Sequence, residues 1–182
     1  MSYEIRKISR EEIASQVEIA GRLRERFIER GCGMKALVDT YGCQQNESDS
    51  ERIRGYLAEM GFSFTTDEFE ADVIVINTCA VRGHAEMRIL GNVGALSHTK
   101  KANRDQIICV CGCMVQQEHM AEKIKKSYPI VSIVFGPHDL WRFPSLWSVF
   151  LSAKSAFLRL SPATATSPRA SRAAATLNSR AG

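Results

Sequence analysis

From residue 35 onward, short apolar runs alternate with longer stretches in which apolar and charged residues recur at helical spacing. "KALVDTY" (35–41) reads as a short strand. "DVIVINT" (72–78), "QIICVCG" (106–112) and "VSIVFG" (131–136) are nearly continuous β-branched or apolar runs. That is the pattern of strands buried on both faces of a sheet. "NESDSERIRGYLAEMG" (46–61) predicts a helix with Asn46 as its cap, acidic residues in its first turn and Gly61 at its end. "HAEMRILGNVGALSHTKK" (84–101) predicts a second helix, weakened by Gly91 and Gly94. "MVQQEHMAEKIKKSY" (114–128) predicts a third, with lysines near its C-terminal end where they suit the helix dipole. Strand–helix alternation at this spacing implies right-handed crossovers. The expected fold is α/β, an open parallel sheet with helices on both faces, of flavodoxin-like type.

The flanks carry different patterns. Residues 3–30 predict a helix in which Ile13, Val17, Ala20, Leu23 and Phe27 recur at helical spacing, with a capping box at Ser9 and Glu12. "RGCGM" (30–34) ends it, and Cys32 within that linker receives no role. "SLWSVFLSAKSAFLRL" (145–160) has the make-up of a helix. "SPATATSPRASRAAATLNSRAG" (161–182) is low in complexity and has no periodic apolar face, so it is expected to be disordered. The expected organisation is a helical extension over 1–34, the α/β domain over 35–147 and a tail over 148–182.

Composition alters this picture little, and charge less than its total suggests. An apolar share of 45% in 182 residues suffices for a core. The net charge of +4 resides in the tail, where Lys154, Arg159, Arg169, Arg172 and Arg180 face no acidic residue; 19 basic residues stand against 20 acidic ones elsewhere. The folded part therefore has no basic excess that would mark a nucleic-acid surface. No apolar run reaches the roughly 18 residues of a membrane span, and "MSYEIRKISREE" lacks the core of a signal peptide. A cytoplasmic location is expected, without membrane association. In that compartment thiols stay reduced, and six cysteines point to metal or catalysis rather than to disulfides.

Three of those cysteines occupy equivalent places. The first strand ends "TYGCQQN" with Cys43, the second "INTCAVR" with Cys79, the third "VCGCMVQQ" with Cys113. The carboxyl edge of an open α/β sheet is where ligands bind. Helix N-termini following the strands would lower thiol pKa values and favour an anionic centre such as a thiolate-ligated iron–sulfur cluster. A zinc site of three cysteines with His84, His98, His119 or His138 is the rival, though the tight C-x2-C pairs usual for zinc are absent. Small residues at strand ends with no ligand are the third possibility. Cys109 and Cys111 lie two apart inside the apolar run, so they share a face and read as core. Gly112 lets the backbone turn and brings Cys113 to the edge.

"YGCQQNESDSER", "ADVIVINTCAVR", "GNVGAL", "CGCMVQQ" and "IVFGPHDLWRFP", in this order, resemble the N-terminal domain of the radical S-adenosylmethionine methylthiotransferases over roughly residues 35–147. The first and last motifs are closest to the MiaB-type branch acting on tRNA. The resemblance implies that Cys43, Cys79 and Cys113 bind one auxiliary 4Fe–4S cluster. It implies methylthiolation of N6-isopentenyladenosine beside the anticodon, with tRNA as partner and S-adenosylmethionine as cosubstrate. A monomer is expected.

The sequence departs from that family in several places. The CxxxCxxC motif of the family's second, radical-generating cluster has no counterpart, and no cysteine follows Cys113. Neither the second cluster nor an S-adenosylmethionine site is therefore expected in this chain. It reads as a truncated member, inactive alone, with residues from about 145 onward arising from a frameshift or gene-model error. Gln45 stands where the family commonly has Met, and Gly83 where it commonly has Glu. Two other readings compete: a stand-alone iron–sulfur or sulfur-carrier module acting in trans, and a metal-free flavodoxin-like binding domain.

Overall fold

The computed structural model describes residues 7–29, 33–79, 84–153 and 158–159. Its elements run α1 (Arg10–Glu29), β1 (Lys35–Tyr41), α2 (Gln44–Glu59), β2 (Ser63–Phe64), β3 (Val73–Thr78), α3 (His84–Ala95), α4 (Ser97–Ala102), β4 (Ile107–Gly112), α5 (Glu118–Ser127), β5 (Val131–Phe135), α6 (Phe143–Ala153) and β6 (Leu158–Arg159). Short 3-10 turns at Met114–Gln116 and Pro137–Arg142 precede α5 and α6. All strands pair in parallel, in the order β2-β1-β3-β4-β5-β6. This is the expected α/β sheet with helices on both faces. No described helix is long and apolar enough to cross a membrane.

Every residue of β3 and β5 is buried, as their unbroken apolar runs require. One face of the sheet, with Val73, Val75, Cys109, Cys111, Ile133 and Phe135, packs against α1, α2 and α6. The other, with Ile74, Ile76, Ile108, Val110 and Val134, packs against α3 and α5. A register irregularity between β4 and β5 leaves Ser132 without a partner, so Val131 and Ile133 serve opposite faces.

The N-terminal helix is part of this core. Its capping box forms as expected: Ser9 N–H donates to Glu12 Oε2 at 2.9 Å, and Glu12 N–H to Ser9 Oγ at 3.1 Å. Ala20, Leu23 and Phe27 are buried, and the Phe27 ring meets Phe62 at 5.4 Å and Trp147 at 6.3 Å between centroids. The expected stripe is only half used, because Ile13 and Val17 are exposed. Buried Gln16 takes over near the start of the helix: its Oε1 accepts from Ser145 N–H at 3.1 Å and Ser145 Oγ at 2.8 Å. It thereby caps the first turn of α6, whose free N–H groups need acceptors.

Four sequence expectations shift. The helix expected over 84–101 breaks at Leu96 into α3 and α4. The helix expected over 114–128 is a 3-10 turn followed by α5. The helix expected over 145–160 starts at Phe143 and ends at Ala153, and Leu158–Arg159 pair along β5 instead. Strand β2 was not foreseen, since two exposed residues carry no period. Trp147, the last residue of the span expected for the α/β domain, is fully buried in the α1–α6 layer. The tail expected to be disordered, residues 160–182, lies outside the described residues.

Truncation at the two ends of α1 should separate its halves. Leu23→Ala empties a buried site and should destabilise by about 2–5 kcal/mol, whereas Ile13→Ala on the exposed face should change stability by less than about 0.5 kcal/mol. Urea unfolding followed by far-ultraviolet circular dichroism measures both. Equal effects would mean that α1 does not pack as described.

Candidate metal centre

Strands β1, β3 and β4 run side by side in matched register, with Tyr41 opposite Thr78 and Thr78 opposite Gly112. The three residues that follow this row are Gly42, Cys79 and Cys113. Cys79 extends the pairing by one bond, its N–H donating to Tyr41 O at 2.9 Å. Strand order reverses between β1 and β3, since β2 lies outside β1 and β3 inside it. Such a reversal opens a crevice at the carboxyl edge, the usual ligand site of an open α/β sheet. Cys43 and Cys79 stand on its two sides, with Cys113 at the next strand end.

Cys43 itself begins α2. It holds the N-cap position in extended conformation (φ −93°, ψ 178°). Asn46, expected as the cap, is the third helical residue and folds back on Cys43. Its Oδ1 accepts from Cys43 N–H at 3.2 Å and from the thiol at 3.3 Å. Gly42 makes this return possible, because a Cβ there would lie 2.4 Å from Asn46 Oδ1. The cap thus falls on the first residue that can present a polar atom to the helix N–H groups, a thiol in this case.

Backbone N–H groups of Asn46 and Gln45 hold the exposed Cys43 thiol below its ordinary pKa, and a hydrogen bond from Cys79 acts in the same direction. The two thiols lie on neighbouring strand ends on either side of the crevice. Cys79 and Cys113 are partly exposed. Cys109 and Cys111 are fully buried, and desolvation pushes both thiols far up, so neither supplies a thiolate.

The edge differs from expectation in its helix starts. Only α2 begins directly at its cysteine; Cys113 caps a three-residue 3-10 turn, and α3 begins at His84, five residues after Cys79. Among the described residues no three His, Cys, Asp or Glu side chains are grouped to hold a metal ion. His98, His119 and His138 are exposed on α4, on α5 and in the 3-10 turn before α6. Cys32 and Gly83 lie outside the described residues. The donors nonetheless fit a thiolate-ligated group. Cys79 and Cys113 follow neighbouring strands at one level, and Cys43, poised to ionise, stands one residue further at the adjoining strand end.

Beneath the cysteines lies a buried polar network that the reading by sequence overlooked. Asn46 Nδ2 donates to Asn77 Oδ1 at 3.0 Å; Asn77 Nδ2 donates to Asn46 O at 2.8 Å and Ser50 Oγ at 3.0 Å. Ser50 Oγ and Thr40 Oγ1 share a hydrogen bond of 2.8 Å. Thr78 Oγ1 donates to Cys111 O at 2.6 Å. Gln45, at the position where Met is commoner, donates to Asp49 Oδ1 at 3.1 Å. Its only signal in the sequence was "NT", two polar residues closing an otherwise apolar strand before a cysteine.

The uncharacterized protein family UPF0004 matches residues 35–136, the span from the first residue of β1 to the end of β5 and Gly136. The chain belongs to this family. The UPF0004 domain of the chain is similar to curated proteins named tRNA-2-methylthio-N(6)-dimethylallyladenosine synthase. The protein of that name from Alkaliphilus oremlandii is 45% identical over 153 residues, covering 84% of this chain and 32% of its own length. The one from Clostridium tetani is 50% identical over 107 residues, covering 59% of this chain and 24% of its own. The one from Clostridioides difficile is 45% identical over 132 residues, covering 71% and 27%. The chain thus spans no more than a third of the length of these relatives.

Alkylation rates test the electrostatics of the edge. Only the thiolate reacts, so a lowered pKa means that the reaction begins at lower pH. Iodoacetamide labelling followed by peptide mass spectrometry should give Cys43 a pH midpoint below the roughly 8.5 of a free cysteine. Cys109 and Cys111 should label only after unfolding. A Cys43 midpoint at or above that of free cysteine would contradict the cap geometry.

Proposed function

We propose that Cys43, Cys79 and Cys113 hold an auxiliary 4Fe–4S cluster, and that the chain supplies the cluster-binding domain of a tRNA methylthiotransferase. The observation that carries this reading is the matched register of β1, β3 and β4, which brings Cys43, Cys79 and Cys113 to three neighbouring strand ends beside the strand-order reversal. The names of the relatives support the substrate class, the methylthiolation of an isopentenylated adenosine in tRNA. When bound, the cluster supplies or relays the sulfur that is inserted at a carbon–hydrogen bond of the substrate.

The chain's own residues have three tasks. Cys43 gives up its proton readily because the first N–H groups of α2 favour the thiolate. Gly112 turns the chain with φ +98°, in a place where a Cβ would lie 2.1 Å from Thr78 O, and so delivers Cys113 to the edge. Burial keeps Cys109 and Cys111 protonated, which removes two competing ligands four and two residues before Cys113. Cys43, Cys79 and Cys113 would supply three of the ligands of such a cluster. The family's radical-generating motif, CxxxCxxC, does not occur in these 182 residues, so their part in this reading is to hold the auxiliary cluster.

Anaerobic reconstitution with ferrous iron and sulfide tests the ligand set. The wild-type chain should become brown and take up about four irons and four sulfides per chain. Replacing any of Cys43, Cys79 or Cys113 by Ala should reduce uptake sharply, whereas Cys109→Ala should retain it. A colourless wild-type product, or loss confined to the Cys109 variant, would overturn the assignment.

A further inference from the structure

We infer that Asn77 is a positioning residue that sets the mutual placement of Cys43, Cys79 and Cys113; as a statement about cluster ligands, this rests on the function proposed above. Asn77 is 1% exposed, and its side chain lies between the first turns of α2, which Cys43 caps, and the end of β4. Toward α2, its amide pairs reciprocally with Asn46, through Asn46 Nδ2 to Asn77 Oδ1 at 3.0 Å and Asn77 Nδ2 to Asn46 O at 2.8 Å. Asn46 in turn holds the backbone N–H of Cys43 at 3.2 Å. Along its own strand, Asn77 lies two residues before Cys79. Toward β4, Gly112 lies so close that a Cβ would come within 2.6 Å of Asn77 Oδ1. The residue after that glycine is Cys113.

A buried amide with donor and acceptor both used tolerates little displacement, because each lost partner leaves an unsatisfied polar group. The Asn46 carbonyl, which can only accept, fixes which way the amide faces, and Ser50 Oγ accepts from Asn77 Nδ2 at 3.0 Å as well. The apolar side chains around it could not do this. Val, Ile and Cys side chains on β1, β3 and β4 fill space on both faces without marking any level along the strand. Asn77 does mark one, at the end where the ligands stand. Outer residues that orient metal ligands typically change affinity ten- to a hundredfold when removed.

Two readouts on the full chain test this, one of them independent of any cluster. Phenylarsine oxide binds a pair of thiols, its oxygen leaving as water with the two thiol protons. Titration of the metal-free wild type should show one site, abolished by Cys43→Ser. Asn77→Ala should weaken that site by about tenfold or more. Ile124→Ala, which empties a buried site on the opposite face of the sheet, serves as a control for lost stability and should shift affinity less than about twofold. After reconstitution and reduction, electron paramagnetic resonance of the Asn77→Ala protein should show altered g-values, and that of the Ile124→Ala protein the wild-type spectrum. Should Asn77→Ala not fold, Ser50→Ala, which removes one of the two acceptors of Asn77 Nδ2, takes its place with a smaller shift in the same direction. Unchanged arsenical affinity and spectrum in the folded variant would overturn the inference, as would equal shifts in the Ile124 control. A wild type that takes no cluster, combined with weakened arsenical binding in Asn77→Ala, would sink the cluster reading and leave the positioning role intact.

Discussion

Tyr41, Thr78 and Gly112 form one row across three parallel strands, and the candidate centre depends on that row. Moving one strand by a single residue would displace its cysteine by about 3.3 Å and turn every side chain of the strand to the other face. In a half-exposed sheet the alternation of apolar and polar residues forbids such a slip. Here β3 and β4 are apolar on both faces, so alternation gives no such protection. The lock is polar instead. Asn77 pairs with Asn46, Thr78 Oγ1 bonds Cys111 O, and at the other end of the sheet Lys35 N–H donates to Asp72 Oδ2 at 2.8 Å. These few groups hold the register between two apolar layers.

The layers differ in how they are built. On the face of α3 and α5 the buried core is made of aliphatic and methionine side chains, with Tyr41 and Tyr128 packed at its margin. On the other face, α1 and α6 close the core through rings of Phe27, Phe62, Phe143 and Trp147. Segments from the two ends of the described chain thus cover the sheet together, tied by Gln16 and Ser145. That arrangement supports α2 from behind, since Ile53, Leu57 and Met60 face the same cluster while its N-terminus carries Cys43. Rigid packing of the helix is what allows its first turn to hold a thiol at a fixed place.

Much of this was legible in the residues. Period and composition mark β1, β3, β4 and β5 to within a residue, because buried parallel strands are nearly unbroken apolar runs. The equivalence of Cys43, Cys79 and Cys113 follows from their places after three such runs. What escaped depends on pairs distant in sequence. The helix cap was assigned to Asn46 rather than Cys43, since asparagine at the third helical position is told from asparagine at the cap only by where its side chain turns. The polar network escaped for the same reason: Asn46 and Asn77 are 31 residues apart. The exposure of Ile13 and Val17 was equally invisible, because helical spacing defines a face without saying how much of it is covered.

The account as a whole stands on three protein thiolates serving one four-iron cluster. Mössbauer spectroscopy of the wild-type chain, reconstituted anaerobically with iron-57, measures this most directly. Three cysteine-ligated irons and one iron without a protein thiolate should give a spectrum in which about a quarter of the cluster iron is distinct and responds to added small thiols or sulfide. Four equivalent irons insensitive to such additions, or iron in single tetrahedral thiolate sites without bridging sulfide, would contradict it.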